Sequence, residues 1–161
     1  MRLFVQPTSA PAPKTNNTIW ISLALAVVMV GLAVTQLYKF ENFPDVIATL
    51  GLPGGQTWAP TIAALLVVGE VLALPFLLRM TLSPAMRIVS MVSGWVVIAG
   101  WLVVSIWTNL AVGQVANSGI LGATVPVPSG WGVTCILFGL ALLAAWSAWG
   151  LWPCRTRTVK Q

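Results

Sequence analysis

The 161-residue chain has no histidine, only three acids and only two cysteines. Without histidine there is no imidazole to act as general base or metal ligand near neutral pH. Cys135 and Cys154 lie in the last apolar run or at its edge, where helical geometry would hold them roughly 28 Å apart, far beyond disulfide reach. Neither a CxxC motif nor a Cys/His cluster occurs. That excludes zinc, an iron–sulfur centre and a self-contained redox pair, so no metal is expected. Charge is scarce as well: 7% of residues are Asp, Glu, Lys or Arg, against about a quarter in a soluble domain. The net charge of +5 does not mark a nucleic-acid binder, because the cations sit at the ends of apolar runs.

What the chain does have is apolar length. Four runs, residues 19–38, 58–78, 88–107 and 131–152, each match the roughly 20 helical residues that cross a bilayer. Tryptophans mark their ends: Trp20, Trp58, Trp107, Trp131 and Trp152 read as interfacial anchors. Trp95 and Trp101 fall inside a run and read as packing residues. The chain is therefore expected to be an all-α polytopic membrane protein, a four-transmembrane-helix up-down bundle with the lipid bilayer as its first partner. Residues 1–18 read as a flexible tail and 153–161 as a basic tail. The long polar lead and the absence of a small-x-small site predict that the first run is a retained span rather than a cleaved signal.

The connections differ in kind. In 39–57, Phe43, Val46, Ile47 and Leu50 recur at helical spacing, and Gly51 with Pro53 makes a stop. This predicts a short amphipathic helix on the membrane surface. Residues 79–87 form a tight link in which Ser83 and Pro84 start the next helix. Residues 108–130 hold no charge at all and contain Asn109, Gln114, Asn117, Ser118, Gly119 and Gly122. Such a long connection is uncommon and often functional.

The second run, WAPTIAALLVVGEVLALPFLL, contains the one ionisable group placed deep in an apolar segment. A carboxylate at Glu70 would cost on the order of 3 kcal/mol. The cheapest escape is to face other helices and stay protonated. Its helical neighbours Ala63, Leu66, Val67, Ala73, Leu74 and Leu77 should point inward with it. Pro75 should kink the helix and free the Val71 carbonyl. In the first run, Gly31 and Thr35 offer a small-residue contact face, whereas Gln36 reads as interfacial. Glu70 is thus the candidate intramembrane functional carboxyl, set against a plain structural carboxyl bonded to a neighbouring Ser, Thr or backbone carbonyl. Cys135 reads as a small buried hydrophobe, and Lys39 as an interfacial cation beside Glu41.

Topology follows from the cations. Arg2, Lys14, Arg79, Arg87, Arg155, Arg157 and Lys160 fall on one side, and Lys39 with Glu41 and Asp45 on the other. The positive-inside rule puts both termini in the cytoplasm.

Three stretches resemble a known family. They are YKFENFPDVIATLGLP at the exit of the first run, Gly69-Glu70 in the second, and NSGILGATVPVPSGWG before the fourth. In these the chain resembles the DoxX-like superfamily, and within it the MauE-type methylamine-utilisation membrane proteins. Those proteins often carry a Cys-Gly-Cys-Phe-Gly motif in the last stretch. Here Ser118 and Ile120 stand at the cysteine positions, with Gly119 and Gly122 kept. The resemblance implies a role near extracytoplasmic thiol chemistry or quinone-linked oxidation, with Lys39, Asn117, Ser118, Gly119 and Gly122 as candidate loop contacts. A thiol relay needs two sulfurs, so what remains is a non-enzymatic accessory or assembly subunit with a protein partner in the inner membrane. The alternative is a quinone-linked or proton-coupled enzyme or transporter using Glu70. No cofactor is read from the residues themselves, and a quinone or a lipid is the ligand left open.

Overall fold

A computed structural model describes residues 8–152. Cys154 and the basic residues after it lie outside that range, as do Arg2 and its neighbours. Five helices account for most of the described chain: α1 (Asn16–Tyr38), α2 (Phe43–Thr49), α3 (Gly55–Leu77), α4 (Pro84–Trp107) and α5 (Trp131–Leu151). A 3-10 turn (Phe40–Asn42) precedes α2, and a π-helical turn (Thr108–Val112) carries α4 onward into the long connection. The helices α1, α3, α4 and α5 have mean hydropathies of 1.8 to 2.3 and are long enough to cross a membrane. α1 packs on α3, α3 on α4, α4 on α5 and α5 back on α1, which closes a four-helix ring of alternating direction. The protein is an all-α membrane protein built as a bundle of four long apolar helices.

The bundle interior has two apolar layers. One gathers Leu25, Ala26, Met29, Ala73, Phe76, Leu77, Ile98, Ala144 and Leu151. The other gathers Phe43, Ile47, Leu50, Ala59, Ala63, Val67, Val97, Trp101 and Leu137. In α3 the sequence passes from Val67 in the second layer to Ala73 in the first, and Glu70 lies between them. Close approach depends on missing side chains. Gly94 faces the Ala73 methyl, and Gly150 faces Thr18 across the α1–α5 contact with no room for a Cβ.

Four expectations change in the structure. The short helix α2 does not lie on the membrane surface: Phe43, Ile47 and Leu50 are buried against α3, where Ala59 and Ala63 leave space for them. The amphipathic face therefore closes the mouth of the bundle. Gly31 makes no close contact, and Thr35 bonds back to the Gly31 and Leu32 carbonyls of its own helix; the buried stripe of α1 runs instead through Leu25, Met29, Leu32 and Gln36. Cys135 is exposed on the bundle surface rather than buried. Residues 8–15 are not a free tail, and α1 begins at Asn16. Thr8 pairs with Leu82 as an antiparallel bridge, Arg87 Nη2 donates to the Thr8 and Ser9 carbonyls at 3.1 Å each, and the Lys14 N–H donates to the Gly150 carbonyl at 3.0 Å.

The end of α3 is a Schellman turn. The Met80 N–H reaches the Pro75 carbonyl at 3.0 Å, and the Arg79 N–H reaches that of Phe76 at 3.1 Å. Arg79 takes the left-handed position with φ of 56°, where glycine is favoured and a residue with a Cβ costs about 1 kcal/mol. The Phe76 N–H, next to Pro75, donates to Ser90 Oγ on α4 at 3.0 Å. Ser83 caps α4 by accepting from the Met86 N–H.

Replacing Gly150 by valine should lower stability by about 1–3 kcal/mol, because the α1–α5 contact must open. The same change at Gly139, which has nothing within 4 Å of an added Cβ, should leave the thermal unfolding midpoint in detergent nearly unchanged.

Candidate functional site: a buried carboxyl–carboxamide pair under the long connection

Glu70 and Gln36 are both 0% exposed. Gln36 Nε2 donates to Glu70 Oε1 at 2.9 Å and to the Ile120 carbonyl at 3.0 Å. One amide thus joins α1, α3 and the long connection after α4. The partner of the acid is a side-chain amide from α1, rather than the Ser, Thr or backbone carbonyl expected. Gln36 belongs inside the bundle, not at its interface. It continues the stripe of Met29, Leu32 and Ala33 at helical spacing, and that periodicity was the available signal. Of the six neighbours expected to face inward with Glu70, Ala63, Val67, Ala73 and Leu77 are buried, while Leu66 and Leu74 are half-buried.

The connection folds down over this pair. Asn117 Oδ1 accepts from the Gly119 N–H, and Asn117 Nδ2 donates to the Gly122 carbonyl. The Ser118 N–H donates to the Val127 carbonyl at 2.7 Å, and Thr124 Oγ1 donates to the Thr35 carbonyl at 2.6 Å. Gly122 (φ 64°) sits so close that a Cβ there would lie 2.8 Å from Gln36 Cα. Only glycine fits both that conformation and that distance. A Cβ at Gly119 would lie 3.5 Å from Trp101 Cη2, and Trp101 itself borders the Glu70 carboxyl. Farther along the rim, Ser105 Oγ, Thr134 Oγ1 and Asn109 Nδ2 share bonds of 2.7 and 2.8 Å between α4 and α5.

Of the candidate loop residues, Gly122 lies against Gln36 and Gly119 near Trp101, Asn117 ties those two glycines together, and Ser118 is buried in the same turn. Lys39 is not among them: it is exposed at the end of α1. Trp20, Trp58, Trp107, Trp131 and Trp152 are exposed at or near helix ends, and Trp107 Nε1 donates to the Gly51 carbonyl. Trp101 Nε1 is turned toward the Glu70 carboxyl, but by strict geometry it and Glu70 Oε2 fall short of a full hydrogen bond, and buried Gln36 Oε1 and Ser118 Oγ have no partner among the described residues. Each such group costs about 1–3 kcal/mol when left bare. No set of three His, Cys, Asp or Glu side chains among the described residues is placed to hold a metal. A cleft of about 470 Å³ opens between α3 and α4, lined by Leu65, Val68, Gly69, Leu72, Val92 and Val96 among others. It suits an aliphatic chain, and Glu70 is not among its lining residues.

Fold and site together define a multi-pass helical membrane protein whose single mid-membrane acid is sealed beneath an uncharged loop. Comparison with protein-family models, with curated proteins and with solved structures finds no match.

Replacing Gln36 by leucine removes the donor to two buried acceptors and should destabilise the protein by about 2 kcal/mol or more. Replacing Glu70 by glutamine keeps an oxygen facing Gln36 Nε2 and should stay within about 1 kcal/mol of the wild type. Thermal unfolding of the two variants in the same detergent compares them directly.

Proposed function

We propose that the protein is a non-enzymatic accessory or assembly subunit of a membrane complex serving an extracytoplasmic or quinone-linked redox system, as its resemblance to DoxX-like, MauE-type proteins implies. The observation that carries this reading is the use made of Glu70. Its carboxyl and the Gln36 amide fasten the 117–124 segment to the bundle, so the acid works as a latch. The fastened segment offers a charge-free, well-fixed surface to a partner. In the orientation favoured by the cations, both termini are cytoplasmic, the protein lies in the inner membrane, and this surface faces outward.

A second reading, a quinone-linked or proton-coupled enzyme or transporter, draws on one observation. Gln36 Oε1 has no partner among the described residues and Glu70 Oε2 has only the Trp101 indole N–H beside it, short of full bonding geometry, which leaves the carboxyl able to engage a proton or a ligand. Against it stands the lack of any second acid, histidine or lysine near the pair to pass a proton on.

Glu70→Gln separates the two. As a latch it should assemble, retain its co-purifying partner in mild detergent and support that partner's activity at near wild-type level. As a proton-handling site it should fold yet lose function. Reporters fused to each terminus should both read cytoplasmic, and an external signal from either would refute the orientation.

A further inference from the structure

Arg79 occupies a backbone position that suits glycine better. It is the C′ residue of the Schellman turn that ends α3, and among the described residues it alone combines a side chain with positive φ. Its Nε is buried and has no hydrogen-bond partner among the described residues. Arg79 and Arg87, both half-buried, border one small, mostly apolar notch of about 10 Å³ at the end of the bundle, with Phe76, Leu82, Leu151 and the Ala10–Pro11 segment among its other walls. Arg87 is held in place from behind, through Nη2, by the Thr8 and Ser9 carbonyls and Thr8 Oγ1.

Among the described residues no acid lies near these charges. The sequence has three acids; Glu41 and Asp45 follow α1 at the opposite end, and Glu70 is bonded to Gln36 in the middle. Lys14 lies at the same end as the two arginines, and the sequence adds Arg155, Arg157 and Lys160 after α5. A guanidinium presents a planar fork matched to phosphate oxygens. A strained residue kept at a turn points to a use for its side chain. The notch lies where α3 ends and α4 begins, at one end of the apolar spans, and cations flanking a membrane span attract anionic lipid.

We propose that Arg79 and Arg87 bind the phosphate of an anionic phospholipid, and that Arg79 is kept at this turn, against its backbone preference, for that purpose. The site is independent of the role of Glu70.

The test uses the full-length protein, delipidated in mild detergent and then mixed with phosphatidylcholine, with phosphatidylcholine plus phosphatidylglycerol, or with inorganic phosphate. Thermal unfolding and native mass spectrometry are read for each. Phosphatidylglycerol should raise the midpoint and remain bound, and the other two should not. Arg79→Gly should unfold at or above the wild-type midpoint without lipid, since the turn is relieved, yet bind phosphatidylglycerol about fivefold or more weakly. Arg79→Gln should show the same loss of binding on an unchanged backbone. Wild-type affinity for phosphatidylglycerol in either variant would overturn the proposal, as would a lower lipid-free midpoint for Arg79→Gly. Equal stabilisation by inorganic phosphate or by phosphatidylcholine alone would overturn the assignment to an anionic lipid.

Discussion

The bond from Gln36 to Glu70 is the interaction on which the rest of the bundle depends. In a medium without water a bare carboxyl or carboxamide has nowhere to turn, so the two must meet each other. Their meeting sets the height of α1 against α3 and places Glu70 at the junction of the two apolar layers. Because the same amide also reaches the Ile120 carbonyl, the position of the long connection is set by the interior. Gly122 then completes the fit, since only a residue without a side chain can lie against Gln36 at that distance.

Around this latch the packing is ordinary for helices in lipid. Small residues bring backbones together at Gly94 and Gly150, and hydroxyls such as Ser90 satisfy groups that a proline turn disturbs. The exposed faces are apolar on every span, as lipid requires. α2 adds the one element that does not cross: it fills the mouth left open where Ala59 and Ala63 are too small to do so.

Much of this was legible in the sequence, because hydropathy and length decide membrane spans almost alone. The four helices, the Ser83–Pro84 start and the inward face of Glu70 all follow from local rules. What failed were questions of partner choice. A polar residue near the end of a span looks interfacial when read by position alone, and Gln36 is recognised as internal only by following the stripe of Met29 and Leu32. The seat of α2 could not be read from its own amphipathic pattern, since lipid and a bundle mouth attract the same face. Gly31 and Thr35 have the right spacing for a contact but fall on the outer side of α1. The resemblance to DoxX-like proteins rests on short motifs, and its functional content is carried by the proposal rather than by the fold.

The tie between Gln36 and Ile120 has a consequence for biosynthesis. The first two spans, α1 and α3, are synthesised before residue 120, so until that residue arrives the Gln36 amide has one of its protons unmatched. The early hairpin is therefore incomplete in a chemical sense, and it becomes self-sufficient only when the third span and its trailing loop arrive. A chain interrupted before that loop would leave a bare polar group in hydrocarbon, the kind of defect that membrane quality control detects.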